Sequence, residues 1–306
     1  MQSTIVMTGA GRGIGRVAAQ RILRLSPDTH LVVVARGSRG PRLAAELGAA
    51  GRAVSHVTAD LGSLVSVRAA AREIHDRLED GELPPLHGFV GNAGVQYTNA
   101  LTETSEGHEA TFAVNVLANH LLVRSLQEQF AHPARIVITV SDTHFGDFRH
   151  NLGMVPGPAW QAPRTLARPG AFSEPHTAAA GRTAYSTSKL AALHLVHEYA
   201  RRLPPGVDAV AYNPGFVPGT GLARHADALS RFAMRRVLPA LTLTPFATTR
   251  TAAGRHLADV ALGAICAPTG SYVDRARVAG SSAESYDPER ERELWDAAES
   301  LVGSPG

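Results

Sequence analysis

Cysteine is almost absent: Cys266 is the single one in 306 residues. That excludes an internal disulfide framework and a thiol-based zinc cluster, and it fits a reducing cytoplasm, the compartment expected here. Long apolar runs are missing too. The longest, LVVV at 31–34 and several alanine-rich pieces, fall far short of the roughly 20 residues that cross a bilayer. The opening MQSTIVMTGAGRGIG lacks a basic region followed by an apolar stretch, so neither a signal peptide nor a membrane anchor is expected. Clustered charge is also lacking. Thirty Lys and Arg stand against 27 Asp and Glu, but the arginines are scattered over helical segments, which speaks for solvated faces and against nucleic acid. No HExxH motif and no histidine–carboxylate cluster is present, so no metal is expected, and the histidines, including His194 and His197, read as helix-surface and loop residues.

What is present is alternation. Short Val/Ile/Leu-rich runs (STIVMT, HLVVVA, AVSHV, LHGFVG, RIVITV, VDAVAY, GSYVD) are separated by helical stretches at 13–25, 41–50, 63–80, 104–130 and 183–203. Strands that are apolar throughout need cover on both faces, so the pattern predicts an α/β chain: one doubly wound parallel sheet of about seven strands with helices on both faces. We read residues 1–306 as a single domain. Residues 142–182, rich in Pro, Gly and Ala, form a long insertion, and a tail at 281–306 carries a helix that starts at Asp287-Pro288 and stops at Gly303.

TGAGRGIG at 8–15 lies between the first strand and the first helix, where backbone amides and the helix N-terminus meet a pyrophosphate. Gly9, Gly13 and Gly15, with Gly11, Arg12 and Ile14 between them, permit a tight turn and close backbone approach. In NAD sites a carboxylate at the end of the second strand holds the ribose 2′-hydroxyl, but none occurs from Leu31 to Ala45. Arg36 stands at that strand end and Arg12 in the glycine turn, two guanidinium groups suited to a 2′-phosphate. The expected cofactor is NADP(H).

AYSTSKLAALH at 184–194 spaces Tyr185 and Lys189 four apart, on one helix face. A tyrosine that moves protons near neutrality needs its pKa lowered by about 2 to 3 units. One cation at roughly 5 Å and an effective dielectric of about 20 supplies on the order of 3 kcal/mol, enough for that shift.

Taken with Asp60 in TADLGS, Asn92, Ala93 and Gly94 in GNAG, Asn115 in NVLANH and Ser141 in RIVITVS, the chain resembles the short-chain dehydrogenase/reductase family over nearly its whole length. The resemblance implies a Rossmann-type fold in which Tyr185 protonates a carbonyl oxygen as hydride leaves the nicotinamide. Ser141 would bond that oxygen, Lys189 would hold the nicotinamide ribose, and Asn115 would complete a water relay. It further implies that Asp60 and Leu61 meet the adenine, that Asn92 lies on the adenosine side, and that Pro214, Gly215, Val217 and Thr220 meet the nicotinamide. Gly91 stands where many relatives have another Asn, so no role carries over to it.

PGFVPGTGLAR at 214–224, FGDF in the insertion and RELWDAAESLVG at the end are similar to the protochlorophyllide-reductase-like branch and to bacterial ketoreductases of polyketide aromatics. Light-driven members carry a cysteine two residues past the lysine, a position held here by Ala191. The expected function is NADPH-dependent reduction of a ketone or aldehyde on a bulky secondary metabolite, or the reverse oxidation. Reduction of a C=C or C=N bond and a non-catalytic NADP-sensing role are the alternatives. Phe145, Phe148, Trp160 and Phe172 in the insertion read as a wall or lid for a bulky, aromatic small molecule. Relatives commonly pair through their long helices, so a homodimer is the expected assembly.

Overall fold

The computed structural model describes residues 2–151, 153, 155–218 and 247–303. Of the expected site residues, Thr220 lies outside the described residues. Seven strands run parallel, β1 (Ser3–Thr8), β2 (Thr29–Ala35), β3 (Val54–Thr58), β4 (Leu86–Gly91), β5 (Phe130–Thr139), β6 (Val207–Asn213) and β7 (Tyr272–Asp274). Their spatial order is β3-β2-β1-β4-β5-β6-β7, and β8 (Arg277–Ala279) closes the edge antiparallel to β7. The sheet therefore has eight strands where the sequence predicts about seven. β8 is three residues long and wholly exposed, so it carries no apolar pattern to read.

Helices α1 (Gly13–Leu25) and α2 (Arg39–Gly48) cover one face, and α3 (Leu64–Glu79), α4 (110–125) and α5 (Ala178–Arg202) the other. Two further helices follow among the described residues, α6 (Arg250–Ala261) beside α1 and α7 (Pro288–Val302) across α5. α6 escapes the sequence reading because its buried face, Ala253, Gly254, Leu257, Ala258 and Val260, is mostly small. Tertiary packing decides it: Arg21 of α1 grips Asp259 through two bonds of 2.8 and 3.1 Å.

α5 starts at Ala178, capped by the Thr177 hydroxyl, earlier than the expected residue 183. The last residues assigned to the insertion thus belong to the helix. Gly181 explains how the helix approaches the sheet. A Cβ there would fall 2.4 Å from the Tyr97 carbonyl oxygen, so only glycine lets the loop after β4 press against α5, one turn before Tyr185.

The insertion is built from single turns, Asp142–Phe145, Phe148–Asn151 and Pro163–Leu166. Its aromatics do not form the expected wall. Phe172 is buried in the core, Trp160 packs edge-on against His194 at 4.8 Å, Phe145 stacks on His150 at 3.7 Å, and Phe148 is exposed. Rings that can satisfy their apolar area against the body of the protein do so, and the cleft wall is left to smaller residues.

α7 is clasped to the body by two parallel sets of ionic bonds. Glu299 accepts from Arg124 at 2.7 Å and faces His120 Nε2 at 2.8 Å, while the Tyr199 hydroxyl donates to His120 Nδ1 at 2.8 Å. Glu291 faces His197 Nδ1 at 2.7 Å and also accepts from Arg201. Between them Trp295 lies under the guanidinium groups of Arg124 and Arg202. His194 and His197, expected on a helix surface, are instead buried because α7 covers them.

Candidate active site

The C-terminal ends of β1, β4, β5 and β6 open on one cleft of about 1410 Å³, lined by the glycine turn, the start of α2 and the N-terminal half of α5. It sits at the point where the strand order reverses between β1 and β4, the place where open α/β sheets leave a crevice.

The glycine turn is shaped from within. Gly9 adopts φ +72°, and a Cβ on Gly15 would lie 2.1 Å from the Gly9 carbonyl oxygen, so the turn folds tightly onto the head of α1 only with glycine at both places. Asn92 Nδ2 donates to the Gly9 carbonyl at 3.3 Å, and the Ala93 N–H donates to Thr8 Oγ1 at 3.1 Å. Asn92 is therefore a brace behind the turn. Gly13, at φ +59°, faces open space, and Arg12 at the head of α1 makes no side-chain cap, which leaves the first amides of the helix directed at the cleft. Gly11, Ile14 and Gly94 line the same space.

Beyond β2 the cleft is rimmed by Arg36, Ser38, Arg39 and Arg42, with Asp60 and Leu61 opposite. Arg36 lies 3.9 Å from Asp60, a loose pair with both side chains more than half exposed. Arg39 and Arg42 are missed by the sequence reading. The signal was available, since RGSRGPR spaces arginines three apart and helix α2 begins within it.

The reacting end gathers Ser141, Tyr185, Lys189 and Asn115. Ser141 lies two residues past β5 and caps the turn that follows; its Oγ accepts the Thr143 N–H at 3.3 Å and lies 3.4 Å from Asp142 Oδ1. Tyr185 and Lys189 are almost wholly buried. Lys189 Nζ donates to the Thr139 carbonyl at 2.9 Å and stands 5.5 Å from the centre of the Tyr185 ring. Lys189 is also the only lysine in the sequence; every other basic side chain among the 30 is arginine, which itself marks this position as chemical.

The expected lowering of Tyr185 is not what the structure gives. Burial pushes its hydroxyl well above the ordinary range and the Asp142 charge adds to that, although a hydrogen bond from Ser141 pulls it back. Burial also lowers Lys189 to about 8. Dehydration works against both charged forms. Tyr185 is thus held as a neutral acid, able to give a proton.

Asn115 sits in a π-helical turn, Ala113–Leu117, within α4. Its Oδ1 accepts from the Val95 N–H at 2.9 Å, and its Nδ2 donates to the Val95 carbonyl at 3.0 Å and Ser188 Oγ at 2.9 Å. All its side-chain bonds tie the loop after β4 to α5. Gly215 and Val217 line the cleft after β6 with Pro214. From the insertion come Asp142, Thr143, His150, Asn151 and Val155.

His144, beside them, is buried and does not line the cleft. Its Nδ1 donates to the Ser141 carbonyl at 2.6 Å and its Nε2 accepts the Ser282 N–H at 3.2 Å, with burial lowering it to about 4, so it stays neutral and pins the serine to the C-terminal segment. Among the described residues no three His, Cys, Asp or Glu side chains converge as a metal site, and no helix is long and apolar enough to cross a membrane.

Residues 3–151 match the family model for short chain dehydrogenases. A candidate daunorubicin C-13 ketoreductase, DnrU of Streptomyces sp. (strain C5), is 32% identical over 98% of this chain and 92% of its own. The chain belongs to the short-chain dehydrogenase family. Protochlorophyllide reductase A of Hordeum vulgare is 29% identical over 99% of this dehydrogenase and 81% of its own length. A blue fluorescent protein from a metagenomic library, solved in complex with NADPH, shares the fold with TM-score 0.63 at 21% identity, over 89% of this chain and 95% of that one.

Proposed function

We propose that this dehydrogenase reduces the ketone or aldehyde of a bulky secondary metabolite with NADPH, or runs the reverse oxidation. The observation that carries the reading is the burial of a neutral Tyr185 beside Ser141 and Lys189 at the end of a cleft whose other end is a glycine turn rimmed by arginines. The site fits the cofactor: the close-packed turn of Gly9 and Gly15 leaves backbone room for a pyrophosphate, and Arg12, Arg36, Arg39 and Arg42 suit a 2′-phosphate. The names of DnrU and the NADPH complex support the same assignment.

When bound, NADPH supplies the hydride. Ser141 directs its hydroxyl proton toward the carbonyl oxygen, and Tyr185, which burial keeps protonated, is the acid that gives that oxygen its proton. Lys189 holds the ribose and contributes its positive charge at the Tyr185 side of the cleft. We read 1–306 as one domain, residues 142–182 as contributing the substrate wall through Thr143, His150, Asn151 and Val155, and 281–306 as a tail that buttresses α5. Ala191, in place of the cysteine of light-driven relatives, supports dark chemistry. Replacing Tyr185→Phe is expected to lower turnover by about 10²–10⁴ with NADPH affinity nearly unchanged. Unchanged turnover of a ketone panel would overturn the reading, and the site of deuterium transfer from labelled NADPH distinguishes carbonyl from C=C or C=N reduction.

A further inference from the structure

Asp142 has no part in the scheme above, yet it lines the cleft directly beside the serine, with Oδ1 3.4 Å from Ser141 Oγ. Ser141 and Tyr185 both present donors to a carbonyl oxygen. A carboxylate next to them has the opposite preference. It accepts, and at 3.4 Å its contact with Ser141 is at the outer limit of a hydrogen bond, so it keeps lone pairs for another donor. Once Ser141 turns its proton to the substrate, that loose contact is given up and the carboxylate needs a replacement donor at the same place. We propose that Asp142 selects substrates bearing a hydroxyl on the carbon next to the carbonyl, that is, α-hydroxy ketones or aldehydes. The inference rests on the carbonyl-reductase reading and names its substrate class. In an α-hydroxy ketone the hydroxyl oxygen is a near neighbour of the carbonyl oxygen, so a carbonyl held by Ser141 and Tyr185 puts the hydroxyl toward the Asp142 side of the serine.

The surroundings keep this carboxyl adaptable. Burial raises Asp142 to about 6, with Asp274 adding to the rise and Arg275, His150 and the Ser141 hydroxyl opposing it. Below that pH it is protonated and no longer a strong acceptor, so selectivity is present above about 6 and is lost as pH falls through it. The groups facing Asp142 are Ser141 before it, Tyr185 of α5, His150 of the following turn, and Asp274 and Arg275 at the end of β7.

The test uses the full chain with NADPH and a matched pair of bulky aromatic ketones, benzoin and deoxybenzoin, which differ by one hydroxyl. The readout is the ratio of their kcat/KM values, corrected for the ratio found with borohydride, so general damage to the site cancels. A preference for benzoin of about ten- to a hundredfold is expected of the wild type, since a charged acceptor discriminates more strongly than a neutral one. Asp142→Leu should reduce the corrected ratio to about one, and Asp142→Asn, which keeps a neutral acceptor, should leave an intermediate value. In the wild type the preference should fall on acidification through about 6, and it should do so in His150→Gln as well. Equal ratios in all three proteins, with both ketones reduced, would overturn the role of Asp142 and leave the reductase reading standing. Failure of the NADPH-loaded wild type to reduce either ketone would overturn this substrate class, and the labelled-NADPH experiment judges the reading beneath it separately.

Discussion

Helix α5 borders two clusters of ionisable side chains, and they are built on opposite principles. Toward its N-terminal half, Tyr185 and Lys189 are buried without an ionised partner bonded to them, and both shift toward their neutral forms. Toward its C-terminal half, His197 and Arg201 meet Glu291, and the adjoining His120 and Arg124 meet Glu299. Burial would raise both glutamates, but the hydrogen bonds and charges of their His and Arg neighbours bring each to about 2. One cluster leaves charge uncompensated, where a substrate and a cofactor can use it. The other compensates charge fully, where it can only hold a helix in place.

The contrast predicts that activity and stability separate along one helix. Lys189→Met is expected to lower kcat/KM by about 10²–10³, or roughly 3–4 kcal/mol in the transition state, while the melting temperature holds or rises because a poorly solvated cation is removed. A calorimetric scan beside steady-state kinetics checks both halves. Trp295→Ala should do the reverse. Losing a ring packed beneath Arg124 and Arg202 should cost about 3–5 kcal/mol of stability and on the order of 10 °C, with kcat of the surviving fold near wild type.

Opposite pH signatures sharpen the same comparison. Glu299 is lowered in the folded chain, so its contribution is complete above the ordinary carboxylate range and disappears as pH falls toward about 2. Glu299→Gln should therefore lower stability at neutral pH, by about 1–3 kcal/mol, and flatten the acid limb of denaturant midpoints. Lys189 is lowered too, but as a cation, so the cost of its burial is present below about 8 and is relieved between there and its ordinary value near 10.5. As the chain has a single lysine, protein labelled with ε-¹³C-lysine should give one such resonance, with a midpoint near 8 in the cofactor-free state. A midpoint above 10 would erase the distinction between the two ends of α5.

The smallest effect belongs to the rim. Arg36→Ala and Arg42→Ala should each weaken NADPH by about 1 kcal/mol, or several-fold, and leave NADH unaffected, because exposed guanidinium groups are screened by water. Isothermal titration with both nucleotides measures the difference.

The alternation of apolar runs and helical stretches was enough to read the doubly wound sheet, because strands covered on both faces must be apolar throughout. The glycine spacing, the missing carboxylate after β2 and the Tyr–Lys interval were legible for a similar reason: each is a local steric or electrostatic demand written in neighbouring residues. α6 was not legible, since its stripe of small residues acquires meaning only against α1. The insertion misled, as aromatic content says nothing about which surface the rings will meet. Helical spacing and the family resemblance singled out Tyr185 and Lys189, and the resemblance singled out Ser141. The direction of Tyr185's shift, the bracing role of Asn92, the burial of His144 and His197 and the position of Asp142 beside Ser141 were decided by the tertiary structure. Burial and hydrogen-bond partners come from segments far apart in the chain, and they set whether a titratable group is charged where it stands.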